Sequence, residues 1–297
     1  MRPSFFIVGA PKCGTTALSS YLSDHPELFM CSPKEPYYFA SDLGGLPRIS
    51  SLTEYLSLFK GAPEQAKVAG ESSAVYAFSS VAIENIAAFD AAARIVFMVR
   101  NPVDIAHAFH SELLYDASED ERSFEAAWRL QESRHRGEGI PRLCREPQLL
   151  QYRRVALVGA QAARLLSIFP RSQVKFILNE DLAESPRAVY GEVLSFLGLR
   201  DDEREDFPRV NESKQTRSRS LGVALSRPPS AISSVARWTR QVLGMRGGFL
   251  DPIRRLNRRR VGRDELGPAF REELVAEFRE DVSKLERIVE RSLSHWT

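Results

Sequence analysis

Cysteine is scarce in this chain. Cys13, Cys31 and Cys144 are the only three in 297 residues, and they lie far apart. That excludes a disulfide-stapled secreted scaffold, and the spacing matches no metal site; a reducing compartment is expected. Excess charge is lacking too. Forty-one basic residues face 39 acidic ones, a net charge of +2, so no global attraction to nucleic acid is implied. No apolar run approaches the ~20 residues of a membrane span. The first strand begins at residue 4 or 5, which leaves no room for a signal peptide, and a cytoplasmic location is expected. No internal repeat is visible. Hydrophobic residues make up 43% of the chain, enough for a sizeable core.

The informative stretch opens the chain. Phe5-Phe6-Ile7-Val8 is an apolar run without alternation, as in a strand buried on both faces. Gly9 and Gly14 bracket a tight turn, and from Thr15 the apolar residues Ala17, Leu18, Tyr21 and Leu22 recur with helical spacing. Strand, glycine loop and helix N-terminus together present backbone amides and a positive dipole end to an anion. The nucleotide loop G-x-x-x-x-G-K-[ST] has this glycine spacing. Here Thr15 stands where that loop has lysine, and the lysine sits at the front, as Lys12. A magnesium nucleotide also needs an acidic residue after another strand. The next good strand, Arg94 to Val99, runs into Arg100 instead. The loop therefore reads as one that holds an anion without magnesium.

Further along, Pro33 and Pro36 fix Lys34-Glu35 in an extended loop. Residues 50–60 look helical, and 68–73 read as a strand and turn. Asn101 and Pro102 form a helix start, with the helix running to about Tyr115, so Arg100 lies at the carboxyl end of a strand, where open α/β sheets bind ligands. His107 and His110 sit one turn apart on that helix, which suits packing or acceptor contact better than a metal pair. Residues 123–138 and 148–168 read as helices, 173–178 as a strand, 186–198 as a helix closed by Gly198, and 270–293 as the closing helices. This alternation argues for an α/β fold, a single domain over 1–297 with a P-loop-like parallel sheet and helices on both faces. An arginine-rich insert lies at about 220–263: residues 227–263 hold ten arginines against one acid, Asp251. It reads either as a solvated face or as a surface that meets an anionic membrane or an acidic acceptor.

G-A-P-K-C-G-T-T at residues 9–16, with V-R-N-P at 99–102, resembles the sulfotransferases that use 3′-phosphoadenosine 5′-phosphosulfate (PAPS). The resemblance implies that Pro11, Lys12, Cys13, Gly14, Thr15 and Thr16 wrap the 5′-phosphosulfate and that Arg100 holds the 3′-phosphate. Pro33-Lys34-Glu35 is similar to the P-K-E-x-x-F-F stretch of the glycan-modifying branch, whose glutamate takes the acceptor's proton. Tyr37-Tyr38-Phe39 replaces that branch's usual His-Phe-Phe. Gly70-Glu71-Ser72 resembles its G-E-K-[ST]-P-x-Y segment, with Tyr76 at the tyrosine and Ser72 in place of lysine. Asn179 to Leu182 resembles its E-D-L segment. Asn211 to Arg217 resembles the N-x-S-K-x-x-R loop that closes over the nucleotide, which brings in Lys214 and Arg217. The family also places a serine eight residues after the arginine. This chain has Ala108 there, and Ser111, one turn further along the same helix face, would take its place on the 3′-phosphate.

The expected reaction moves a sulfuryl group from PAPS to an acceptor hydroxyl. Glu35 would be the general base, and Lys12 would meet the charge on the leaving group, with no metal required. The acceptor, whether glycan, lipid or small molecule, is not legible, though the aromatic cluster at 37–39 would suit any of them. Two alternatives stay open: a P-loop nucleotide kinase or NTPase, and a binding protein that has lost activity, for which Ala108 is the argument.

Overall fold

The computed structural model describes residues 1–208, 214–216, 258–260 and 265–297. Five short parallel strands form the sheet: β1 (Phe5–Gly9), β2 (Leu28–Met30), β3 (Val68–Ser72), β4 (Arg94–Val99) and β5 (Val174–Leu178), in the order β2-β3-β1-β4-β5. The two inner apolar runs become β1 and β4, which pair with Phe5 opposite Arg94 and Ile7 opposite Val96. All of β1 and all of β4 beyond Arg94 is buried, as strands covered on both faces must be. Beyond β1 the chain first crosses to β2 and β3 on one side and then to β4 on the other. The carboxyl ends of β1 and β4 thus flank the switch point, where ligand crevices form in such sheets.

Helix α1 (Thr15–Ser23) follows β1, α2 (Leu52–Ser57) and α3 (Ala82–Phe89) flank β3, and α4 (Pro102–Tyr115) follows β4. The expected start of α4 is present: the Asn101 side chain accepts from the Val103 amide at 2.9 Å, with Pro102 at the first helical position. The two long helices expected at 123–138 and 148–168 are broken. They appear as α5 (Phe124–Arg129), α6 (Gln131–His135), a 3-10 turn at Pro147–Leu150, α7 (Tyr152–Ala156) and α8 (Val158–Ile168). Tertiary contacts override helical periodicity here. Arg134 grips buried Glu119 through both guanidinium nitrogens, at 2.6 and 2.8 Å, and Tyr152 donates to the same carboxylate. The remaining α-helices among the described residues are α9 (Asn179–Glu184), α10 (Pro186–Leu197), closed by Gly198 in the left-handed conformation, and α11 (Pro268–Val289).

Helix α11 packs on α8 and α4. Buried Asp281 of α11 accepts from the Gly159 and Ala160 amides at 2.7 Å each and so caps α8 from another helix. A methyl group on Gly159 would lie 2.1 Å from the Asp281 carbonyl oxygen, so glycine sets this close approach. The short pair β6 (Lys214–Thr216) and β7 (Arg258–Arg260) is antiparallel, with Lys214 opposite Arg260. Arg217 and the rest of the arginine-rich stretch up to residue 263 lie outside the described residues.

One carboxyl sits deep inside this frame. Glu71 of β3 is fully buried, and neither oxygen has a partner in hydrogen-bonding geometry among the described residues. Burial pushes its carboxyl up to about 7, while the nearby hydroxyls of Tyr55, Tyr76 and Ser73 pull it partly back. The folded-state value lies above the ordinary 4.5. The contribution to stability is thus fully present below the ordinary value and is lost as pH rises through the folded one. Glu71→Gln is therefore expected to gain melting temperature relative to the parent between mildly acidic and mildly alkaline pH; a difference that does not change with pH would refute this. Asp281→Ala, which strips two helix-end amides of their acceptor, is expected to cost roughly 1–3 kcal/mol in urea unfolding. A loss within about 0.5 kcal/mol, as for an ordinary surface change, would show that the cap is idle.

Candidate functional site

The ladder between β1 and β4 runs on into the loop, since the Ala10 amide donates to the Met98 carbonyl at 2.7 Å. Lys12 then takes a left-handed backbone, φ 65°, and Gly14 another, φ 87°, at the N-cap of α1. Gly14 is required twice over. Its φ favours glycine, and a Cβ there would lie 2.9 Å from Asn179 Nδ2. It has no side chain to cap α1, and the first amides of a helix have no acceptor within it. The amides of Gly14, Thr15 and Thr16 are therefore the ones free to meet an anion.

Around this loop stand three cations. Lys12 Nζ lies 3.3 Å from Glu112 Oε2 on α4. Arg100, at the end of β4, reaches the Lys12 carbonyl at 3.5 Å and Asp104 at 2.9 Å. Lys34 Nζ lies 3.5 Å from Thr15 Oγ1 and 3.0 Å from Glu35 Oε1. The tyrosine hydroxyl of Tyr37 donates to the other oxygen, Glu35 Oε2. A continuous polar chain thus links the first residue of α1 to Glu35: Thr15, Lys34, Glu35, Tyr37. The edge of β3 holds this loop. The Glu35 amide donates to the Ser72 carbonyl at 3.1 Å, and the Tyr37 amide lies 3.4 Å from Ser73 Oγ.

Several expected residues are placed differently. Cys13 is fully buried, its amide donates to Ala10, and burial pushes its thiol well above the usual range. Its side chain belongs to the core, and Pro11 is buried beside it. Ser111 donates its one hydroxyl proton to the His107 carbonyl at 3.1 Å, a helical back-bond, so it does not offer the donor that Ala108 lacks. Ala108 itself is buried, four residues from both Asp104 and Glu112 on the same helix. Lys214 is described in backbone only, and Arg217 lies outside the described residues. Of the aromatic cluster, Phe39 lies in the core, and Tyr37 and Tyr38 are half-buried against it. Phe39 packs against Tyr55, Tyr76 and Phe89, and Tyr38 stacks on Tyr55 with centroids 4.5 Å apart. His107 stacks on Phe124, and His110 Nε2 contacts the Glu121 carbonyl at 2.8 Å. Burial lowers the pKa of His110. The sequence reading missed Lys34, Asp104 and Glu112. For Lys34 the signal was its place directly before Glu35. For Asp104 and Glu112 it was their spacing of four and twelve residues from Arg100, which puts both on one helix face.

Comparisons with known proteins agree with this geometry. The human protein named carbohydrate sulfotransferase 15 is 27% identical over 251 residues, covering 66% of this chain. The chain spans only 44% of that relative's length. The bifunctional heparan sulfate N-deacetylase/N-sulfotransferase 1 of Caenorhabditis elegans is 31% identical over 117 residues, 38% of this chain and 13% of that protein. A solved sulfotransferase from Alicyclobacillus acidocaldarius superposes with a TM-score of 0.73 at 29% identity, covering 100% of this chain and 99% of that one. The sulfotransferase-domain family matches residues 2–218, the stretch that holds the glycine loop, Glu35 and Arg100, and the chain belongs to that family.

Proposed function

We propose that this protein carries a sulfuryl group from PAPS to the hydroxyl of an acceptor, with Glu35 as the base. The observation that carries the reading is the chain Thr15–Lys34–Glu35–Tyr37. It sets a carboxylate one lysine away from the amides at the start of α1. A general base has to sit beside the place where the donor's reacting group is held, or the in-line geometry is lost.

The residues fit such a donor. Phosphate and sulfate oxygens call for fixed N–H groups and cations, and the loop supplies three leading amides together with Lys12, Lys34 and Arg100. The lack of room for a Cβ at Gly14 keeps the backbone of the loop close to Asn179 and α9. When bound, PAPS would supply an activated sulfuryl group and a phosphate leaving group. Lys12 and the amides of Gly14, Thr15 and Thr16 would hold its 5′ end and meet the growing negative charge there. Arg100, one strand over, would hold the 3′-phosphate. The Glu35 carboxylate would take the acceptor's hydroxyl proton. Lys34 and Tyr37 fix one of its oxygens each and leave the remaining lone pairs for the acceptor. Two relatives are named for carbohydrate and heparan sulfate, which favours a glycan acceptor over a lipid or small-molecule one.

Incubation with sulfur-labelled PAPS and an extract of the producing cells is expected to yield a labelled sulfate ester of the acceptor; label found only in inorganic sulfate would refute transfer. Glu35→Gln is expected to lower turnover by ~10²–10⁴-fold while nucleotide affinity holds. Tyr37→Phe, which removes one fixing contact, should lower it less, again without loss of affinity. Equal turnover in Glu35→Gln would move the base elsewhere. Arg100→Ala is expected to weaken 3′,5′-adenosine diphosphate by about 1.5–3 kcal/mol. Adenosine 5′-phosphosulfate, which has no 3′-phosphate, should lose little. Similar losses for both ligands would mean that Arg100 is structural.

A further inference from the structure

The loop's leading cation is already occupied. Lys12 Nζ stands 3.3 Å from Glu112 Oε2 and is the ion-pair partner of that carboxylate. Nothing in the fold calls for that pair. Its side chains are 33% and 46% exposed, and solvated ion pairs of this kind contribute little to stability. Glu112 also lies in the last turn of α4, which ends at Tyr115. Negative charge there opposes the helix dipole, whereas Asp104, in the first turn, is favoured by it. Asp104 thus has a local reason to be acidic, and Glu112 does not. Its place on the helix brings it back over the loop: residues 104, 108 and 112 share a face, with buried Ala108 between the two acids.

We infer that Glu112 is an affinity-setting residue that competes with the nucleotide for Lys12 and so hastens release of the spent 3′,5′-adenosine diphosphate. This rests on the nucleotide-site reading above. Lys12 has one ammonium to share between Glu112 and the phosphates. The bound nucleotide is strongly anionic, and a carboxylate at this distance holds the lysine back from it. In the empty site Glu112 keeps Lys12 neutralised. In the occupied site the lysine turns to the nucleotide, and the returning attraction of Glu112 favours departure. A product that carries the nucleotide's charge without the sulfuryl group would otherwise be held by every contact that holds the donor.

Calorimetric titration with 3′,5′-adenosine diphosphate at low and high salt tests this. Glu112→Gln is expected to tighten binding by about three- to tenfold at low salt, with the gain shrinking as salt screens the charges. Glu132→Gln, on α6, is the control for net charge, since its carboxylate is exposed and pairs with Arg136 just past the helix end; it should leave affinity unchanged. In a Lys12→Gln background the Glu112→Gln gain should vanish, because Glu112 acts through the lysine. Weaker binding in Glu112→Gln would show instead that Glu112 aims Lys12 at the nucleotide, and unchanged binding would show an idle pair. A gain that persists without Lys12 would mean direct repulsion. Each of these overturns the inference while leaving the nucleotide site intact. Failure of the parent protein to bind 3′,5′-adenosine diphosphate at all would overturn the site reading and this inference with it.

Discussion

The parallel pairing of β1 with β4 is the constraint on which the site depends. It sets the carboxyl ends of two strands side by side, and one further hydrogen bond, Ala10 to Met98 at 2.7 Å, carries the pairing past the end of β1. Two residues later the chain turns left-handed at Lys12, and two residues after Met98 comes Arg100, whose guanidinium meets the Lys12 carbonyl. Neither cation could be offered to the same ligand without that register. Ile7 lies opposite Val96, and the shift between Ile7 and Gly9 lets the loop leave the sheet. Slipping a strand by one residue would turn each side chain to the other face and scatter the cations.

Charge at the site is balanced by partners that can let go. Lys12, Lys34 and Arg100 each hold a carboxylate, with the six side chains 25–46% exposed. Solvated pairs like these give up a partner at small cost. The contrast with Glu119 and Arg134 is sharp. Those side chains are 0% and 1% exposed, the guanidinium is doubly bonded, and Tyr152 fills a further lone pair. Removing one member there would strand a buried charge. The buried, fully bonded Glu119–Arg134 pair is thus built to stay closed, whereas on the proposed function the exposed pairs at the loop are ones whose contacts a ligand takes over.

The parts of this arrangement that were legible in the sequence depend on local rules. The apolar runs of β1 and β4, the glycine turn, the Asn101-Pro102 helix start and the end at Gly198 all follow from residues within a few positions of each other. The misses depend on contacts distant in sequence. The helices around 123–168 break where Glu119 and Asp281 draw backbone and side chains toward other elements, and periodicity carries no trace of that. The strand β2 is only Leu28–Met30, too short for any period to show. Tyr38 and Phe39 read as a surface that would suit an acceptor, because aromatic residues suit a core and a sugar equally well. Only the packing on Tyr55 and Phe89 separates the two. At Ser111 the hydroxyl looked available, but a serine within a helix has a carbonyl one turn back to bond.

The backbone itself shows where the fold accepts a local cost. Six non-glycine residues among those described have positive φ, and three of them are Lys12, Glu35 and Tyr37, at 65°, 62° and 52°. A left-handed non-glycine residue costs on the order of 1 kcal/mol or more, and persists only where its surroundings over-determine it. For Glu35 and Tyr37 those surroundings are the end of β3 and the aromatic packing behind it. Glu71 lies in the same strand directly before Ser72, buried beneath that packing with neither oxygen in hydrogen-bonding geometry to a partner among the described residues. A hydrophobic residue there would remove a desolvation cost, so the strand is not tuned for stability alone. What the strand does deliver is an edge, through the Ser72 carbonyl and the Ser73 hydroxyl, that holds the loop in a conformation it would not choose unaided. The strain falls on the two residues whose side chains meet at the Glu35 carboxylate, and on the proposed function it fixes that carboxylate before any acceptor arrives.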